Sequence, residues 1–201
     1  YTMVGSYEEA MKKIGKKKLL LVPQTDLDNP TKGADALPYA IDRKEGDLSL
    51  AQIVEVAIAK LSKSDRFYMM AEGGKIDYAG HGNDGATNIH EVMDFDAAIA
   101  VAYRFYEQHP DETLIVVTAD HETGGMSLGW DHYEIRMEKF MEQKASAIEM
   151  TNIIQKMRAE GKRDWNDYKQ ALSDNFGLWS LVPVSKEDEA ILKRDFYDIF
   201  L

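Results

Sequence analysis

The amino-acid sequence predicts an α/β fold built on a doubly wound, mainly parallel sheet that is incomplete, with added C-terminal helices. Along the first part of the chain, short apolar runs alternate with segments whose apolar residues recur every three or four positions. This order of strand, helix, strand, helix and strand is typical of parallel sheets covered by helices. From about Tyr133 onward no further strand is predicted, and a charged, helical stretch follows.

The predicted strands are three mainly apolar runs, at residues 19–22, 67–71 and 114–118. The last of these, Leu-Ile-Val-Val-Thr, has the clearest strand pattern. The second run ends directly in Glu72, and the third is followed by Asp120. Because ligands of open α/β sheets bind beyond the carboxyl ends of the strands, both strand ends are predicted to border a site.

The predicted helices lie between and after these strands. Ser6, with Glu9 three residues later, forms a capping-box pattern, and Asp47 or Ser49 starts a second helix that ends at about Leu61. The full set of predicted helices spans residues 6–14, 49–61 and 87–108, the helical stretch 133–174, and 186–199. Residues 23–47 are rich in Asp, Asn, Pro and Gly and are predicted to form a long loop.

Length, charge and composition narrow the range of functions. A chain of 201 residues suffices for one domain, so we assign 1–130 to a partial α/β core and 131–201 to a mainly helical extension of the same domain. The net charge of −11 argues against nucleic acid or an anionic membrane as the partner, and no apolar run is long enough to cross a bilayer. There is no cysteine, so any metal ion must be held by Asp, Glu and His.

Two clusters of such residues follow the predicted strands: Glu72, Asp77 and His81 in one, and Asp120 and His121 in the other. Asp77 and His81 are four residues apart, so one helical turn or a tight loop would let both reach one metal ion. Glu72 offers oxygen ligands for a second, harder ion. Any one of these residues alone would be interpreted as a solvated or capping group. Two clusters at the ends of adjacent predicted strands favour a metal site instead, with the oxygen and nitrogen ligands that zinc accepts.

Residues 72–125 closely resemble the alkaline phosphatases, in particular the bacterial ones. The resemblance rests on Glu-Gly-Gly-Lys-Ile-Asp at 72–77, on His81, and on Val-Thr-Ala-Asp-His-Glu-Thr-Gly-Gly at 117–125. Leu-Pro-Tyr-Ala-Ile-Asp-Arg at 37–43 also resembles a segment of that family, and the likeness covers roughly residues 1–130.

This resemblance implies a site with two zinc ions and one magnesium ion. It assigns Asp77 and His81 to one zinc, Asp120 and His121 to the second zinc, and Glu72 to the magnesium. It also implies two-step phosphoryl transfer from phosphate monoesters through a phosphoserine, with release of inorganic phosphate. The expected location is periplasmic or extracytoplasmic.

The nucleophilic serine of that family has no counterpart in this chain, because no serine lies in an Asp-Ser-Ala type motif. The family's phosphate-binding arginine, its N-terminal metal-binding aspartate and its last zinc histidine are missing as well. The first residue is Tyr1 rather than Met. We therefore expect a fragment of a longer enzyme, with little or no phosphatase activity alone. Uncovered apolar surface is expected to lower its stability or to drive oligomerisation, for example into a homodimer.

Two alternatives remain open at the level of sequence. The Asp-x-x-x-His and Asp-His pattern also occurs in metal-dependent phosphomutases, so a phosphomutase or a sulfatase-like relative is the nearest enzymatic alternative. Glu72 favours the alkaline phosphatases. The second alternative is a non-catalytic metal-binding or interaction domain that keeps the scaffold without the nucleophile.

Overall fold

The computed structural model describes residues 1–22, 37–126 and 136–200. Its strands are β1 Thr2–Val4 and β2 Leu19–Leu21. Its helices are α1 Tyr7–Lys12, α2 Leu50–Leu61, α3 Lys75–His81, α4 Gly85–Gln108, α5 Ala147–Ala159, α6 Trp165–Phe176 and α7 Lys186–Phe200, with 3-10 helices at Ala40–Asp42 and Met137–Glu142. A small parallel sheet with helices confirms the predicted class, an incomplete α/β fold. Across these ranges, no helix combines the length and the apolar character that a membrane crossing requires.

The sheet is a short β–α–β unit. β1 and β2 run parallel, with Thr2 opposite Leu19. Between them, the Ser6 side chain accepts a hydrogen bond from the Glu9 backbone N–H at 3.2 Å, which begins α1 as predicted. β1 is missing from the predicted strands, because three residues are too few to show a period.

The longest helix of the described residues, α4, packs against two other helices, α2 and α3. α2 begins at a complete capping box between Ser49 and Gln52 and packs on α4 through a buried apolar cluster. α3 also lies against α4, where the Asn88 side chain donates a hydrogen bond to the Ile76 carbonyl at 2.8 Å. The Arg43 guanidinium contacts both carboxylate oxygens of Asp94, at 2.8 and 2.9 Å, and this ion pair holds the segment before α2 on the same helix.

Two of the predicted strands, at residues 67–71 and 114–118, are wrong for this structure. Neither segment belongs to a sheet within the described part of the chain, and Tyr68 and Leu114 are 85% and 86% exposed. A strand is stabilised by hydrogen bonds and side-chain contacts from its neighbours. Without a neighbouring strand, an apolar run with a strand-like sequence forms no hydrogen bonds of a sheet.

The predicted long loop at 23–47 lies partly outside the described residues, which resume at 37. Within its described part, the 3-10 helix Ala40–Asp42 precedes α2. The predicted helical stretch 133–174 contains the 3-10 helix Met137–Glu142, α5 and most of α6, and its first residues, 133–135, lie outside the description.

The C-terminal helices α5, α6 and α7 enclose an aromatic cluster of their own. Its buried members are Met150, Met157, Tyr168, Leu172, Phe196 and Phe200. Phe196 lies at its centre, 2% exposed and stacked on Phe200 at 4.8 Å between ring centroids.

Two carboxylates connect the C-terminal helices with the preceding part of the chain. Asp42 accepts from the Ser146 backbone N–H at 2.8 Å, and Asp84 accepts from the Ala147 backbone N–H at 2.8 Å.

Candidate functional site

α3 carries the first pair of predicted site residues, Asp77 and His81. The four-residue spacing puts both side chains on one face of this helix. Asp77 Oδ2 lies 3.5 Å from His81 Nε2. His81 is exposed and Asp77 is partly exposed, so both remain accessible from solvent.

The second pair, Asp120 and His121, lies on a segment without regular secondary structure. Asp120 Oδ1 accepts a hydrogen bond from the His121 backbone N–H at 3.1 Å. The other carboxylate oxygen, Oδ2, lies 3.7 Å from His121 Nε2. Both side chains are exposed, and the two donor atoms are turned toward each other.

Thr123 joins the two pairs. Its hydroxyl donates a hydrogen bond to Asp77 Oδ1 at 2.6 Å. The Thr123 hydroxyl oxygen also lies 3.0 Å from His121 Nδ1. Thr123 and Asp77 are 46 positions apart in the sequence. Their contact therefore brings the two clusters together. Thr123 is absent from the predicted site residues, and its one sequence signal is its place inside the motif 117–125.

The meeting of the two segments depends on a close backbone contact between Gly80 and Gly124. A Cβ on Gly80 would lie 2.9 Å from the Thr123 carbonyl oxygen, which is too close for any side chain. A Cβ on Gly124 would clash with the Gly80 carbonyl oxygen, and Gly124 has a φ of +88°, a left-handed conformation that favours glycine. These two glycines let residues 120–125 lie directly on α3.

The His121 ring has an altered proton affinity. Its pKa is raised above the ordinary value, first by the backbone carbonyl of Glu122 and then by the charge of Asp120. Nδ1 lies 3.0 Å from that carbonyl oxygen. The ring is therefore held by its Nδ1 side.

Glu72, the fifth predicted residue, stands apart from the other four. Its carboxylate folds back over Gly74, whose Cβ position lies 3.2 Å from Glu72 Oε1. Among the described hydrogen bonds and ion pairs, none joins Glu72 to Asp77, His81 or the second pair. The described contacts connect four of the five predicted residues, directly or through Thr123, and none of these contacts includes Glu72.

The donor set fits zinc in type and in the spacing of each pair. Two ligands at about 2.0–2.1 Å from a tetrahedral zinc ion are separated from each other by roughly 3.3 Å. The observed separations of 3.5 Å in the first pair and 3.7 Å in the second are close to that value. Over the ranges 1–22, 37–126 and 136–200, however, no three acidic or histidine side chains converge on one point where they could hold a metal ion. Each pair thus supplies two ligands of the four that zinc usually has.

Comparison with known proteins gives concordant matches. The family model for alkaline phosphatase matches residues 33–190. The repressible alkaline phosphatase of Saccharomyces cerevisiae is 43% identical over 98 residues, 45% of this chain and 17% of that protein. Alkaline phosphatase 3 of Bacillus subtilis is 45% identical over 96 residues, 47% of this chain and 21% of that protein.

A solved structure extends the likeness to nearly the whole chain. The crystal structure of a cold-active alkaline phosphatase from the psychrophile Shewanella sp. has a TM-score of 0.75 and 27% sequence identity, and the match covers 98% of this chain. It covers 44% of the Shewanella chain. The present chain thus spans less than half of that structure, and its matches to the two curated relatives cover about a fifth of their length.

Proposed function

Because the chain belongs to the alkaline phosphatase family, we propose that it carries the metal-ligand part of a phosphate monoester hydrolase. The observation that supports this most is the contact of Thr123 with Asp77 and His121, since it joins the two motif segments at one site. The substrates would be phosphate monoesters and the product inorganic phosphate. The family match favours this proposal over a phosphomutase or a sulfatase-like relative.

The proposed ligands follow the two pairs. Asp77 and His81 would hold one zinc ion, Asp120 and His121 a second, and Glu72 a magnesium ion. When bound, such ions supply the positive charge that stabilises a phosphate ester and its leaving oxygen during displacement. This chain needs that charge, because its net charge of −11 repels phosphate.

The chain's own side chains orient these donors. Asp77 is held through Oδ1 by Thr123, so its Oδ2 faces His81. His121 is held through Nδ1, so its Nε2 faces Asp120. Asp77 and His121 each have one side-chain atom fixed by a contact within the protein and a second atom that could bind a metal ion.

We further propose that the isolated 201-residue chain hydrolyses phosphate esters slowly or not at all. Over the described part of the chain, no serine is hydrogen-bonded to Asp77, His81 or His121. Ser146, for instance, is fully buried at the start of α5, where its hydroxyl accepts from the Glu149 backbone N–H. A periplasmic or extracytoplasmic location and self-association as a homodimer belong to the same proposal.

Zinc titration by calorimetry tests the ligands. We expect the chain to bind zinc, and we expect Asp120→Ala to weaken binding at least tenfold, in line with the loss of a primary ligand. Asp96→Ala is the matched control, because Asp96 is exposed on α4 and is not one of the proposed ligands. Equal affinity of the wild type and Asp120→Ala would contradict the assignment.

Phosphate binding and turnover test the hydrolase reading. With zinc and magnesium present, we expect the chain to bind inorganic phosphate in calorimetry, and we expect Asp120→Ala to abolish this binding. If the zinc-loaded chain shows no binding of inorganic phosphate, the proposal is overturned. Rapid hydrolysis of p-nitrophenyl phosphate by the pure chain would refute the proposed inactivity.

A further inference from the structure

Thr123 is not itself one of the proposed metal ligands, yet its hydroxyl contacts one residue of each pair. The contact with Asp77 Oδ1, at 2.6 Å, has a defined direction. A carboxylate accepts hydrogen bonds, so the hydroxyl proton lies on this bond. Toward His121 Nδ1, at 3.0 Å, the hydroxyl oxygen is therefore an acceptor.

The other neighbour of His121 Nδ1 is also an acceptor. The Glu122 carbonyl oxygen lies 3.0 Å from the same nitrogen, and a carbonyl has no proton to donate. Both neighbours require that Nδ1 carry the proton. In the neutral ring, Nε2 then keeps its lone pair, and this is the atom that faces Asp120.

The orientation of the Thr123 side chain is itself fixed. Its methyl carbon lies 3.1 Å from the point where a Cβ on Gly80 would be, so the methyl group rests on the backbone of α3. With the methyl group in that place, the hydroxyl faces Asp77. The half-buried position of the residue supports one rotamer.

We propose that Thr123 is a positioning residue: its hydroxyl holds Asp77 and His121 in one arrangement and selects the His121 form in which Nε2 is the free donor. This inference rests on the proposed function of the site. The general chemistry agrees, because a histidine that binds a metal ion through one ring nitrogen usually donates its other N–H to a fixed acceptor. The predicted consequence is that the site is preorganised before any ion arrives.

The first test reads the tautomer without metal. Nitrogen-15 NMR of histidine-labelled protein at mildly alkaline pH distinguishes the two neutral forms, and a His121→Gln spectrum assigns the signal. We expect the Nδ1–H form in the wild type and in Thr123→Ser. In Thr123→Val only the Glu122 carbonyl still accepts from Nδ1, so we expect a measurable rise in the Nε2–H population. An Nε2–H form in the wild type, or an unchanged tautomer in Thr123→Val, would overturn the proposal.

The second test measures zinc affinity by calorimetry in the same variants. We expect Thr123→Val to lose about tenfold in affinity, the lower end of the range for residues that orient a ligand. We expect Thr123→Ser to recover most of that loss. Thr151→Val is the control, since Thr151 is exposed on α5. Equal affinity of Thr123→Val and the wild type would overturn the proposal.

The two measurements separate this inference from the proposed function. If the wild type binds no zinc, the metal site fails, while the NMR measurement still reports whether Thr123 selects the tautomer. If zinc binds and Thr123→Val behaves as the wild type in both measurements, the positioning role of Thr123 is contradicted while the proposed metal site stands. Wild-type NMR data suffice to contradict it even where a variant does not fold.

Discussion

The C-terminal helices and the site segments of this chain are held in place by different means. α5, α6 and α7 bury their apolar side chains on one another, with Phe196 2% exposed. The segment 114–118, which leads into the site, exposes 86% of Leu114 and 75% of Val116. The helices are thus stabilised by contacts they make themselves, whereas the site depends on a few polar contacts and on the contact between Gly80 and Gly124.

The buried core of the C-terminal helices and the proposed site therefore lie in different segments of the chain. The aromatic cluster lies on the C-terminal helices and not on the segments that carry the proposed ligands, and those ligands stay at least partly exposed to solvent. Asp42 and Asp84 form the polar connection between the two regions. Mutations should therefore affect one region more than the other.

The largest effect on stability is expected for Phe196→Ala. Removing this buried ring leaves a cavity among Trp165, Tyr168 and Phe200, and we expect a loss of about 3–5 kcal/mol in the free energy of unfolding. Urea unfolding followed by circular dichroism measures it. Tyr197→Ala is the control, because Tyr197 is 53% exposed on the same helix. Equal losses in the two variants would argue against a self-contained cluster.

A smaller loss of stability, with a larger effect on the site, is expected for Gly124→Ala. The added methyl group clashes with the Gly80 carbonyl oxygen and strains a left-handed backbone, which costs about 1–3 kcal/mol. We expect weaker zinc binding, since the clash moves Thr123 away from Asp77. Gly125→Ala is the matched control: it has a φ of +66° but open space at the Cβ position. If both variants bind zinc equally, close packing of Gly124 on α3 is not what assembles the site.

The connection between the regions predicts a pH dependence. Burial raises the pKa of Asp42 above 3.8, and the charges of Glu149 and Asp84 add to this shift against the hydrogen bonds from Ser146. The folded state therefore binds this proton more tightly than the unfolded state. The stabilisation is complete below the unfolded pKa and is lost as pH rises through the raised folded pKa.

Asp42→Asn tests this directly. The amide oxygen still accepts from the Ser146 N–H, but the group no longer titrates. As pH rises above the unfolded-state pKa of this carboxyl, we expect the unfolding free energy of the wild type to fall relative to that of the variant. A difference that stays constant as pH rises would show that Asp42 has the same pKa in both states.

The smallest effect on stability is expected for Val116→Lys. The side chain is already 75% exposed, so the unfolding free energy should change by no more than about 0.5 kcal/mol. Sedimentation velocity should show weaker self-association, because a charge interrupts the apolar segment. The control is Val101→Lys, at a buried position on α4, which should destabilise the protein far more than Val116→Lys. Strong destabilisation by Val116→Lys would mean that the segment is covered.

Local features of this chain were predictable, and contacts between distant segments were not. Helix starts were predicted at Ser6 and at Asp47 or Ser49, because a cap involves residues three positions apart. The structure has the caps at Ser6 and Ser49. The strand predictions at 67–71 and 114–118 were wrong because pairing depends on neighbours that an apolar run does not encode.

The site divides in the same way. The spacing of Asp77 and His81 predicted that one helical turn or a tight loop would bring both side chains to the same side, and in the structure they lie on one face of α3. The role of Thr123 was not predictable, because its partner Asp77 lies 46 positions away and a hydroxyl carries no distinctive signal. The Gly80 and Gly124 contact is equally non-local, although both glycines lie within or beside the motif segments.

A double-mutant cycle between Asp77 and Thr123 tests most directly whether the two motif segments form one site. The unfolding free energies of the wild type, Asp77→Asn, Thr123→Val and the double variant are measured under one condition. Because the Thr123 hydroxyl donates to the Asp77 carboxylate, we predict a coupling energy of about 1 kcal/mol. A coupling energy of zero within error would contradict the account, since the two segments would then act independently.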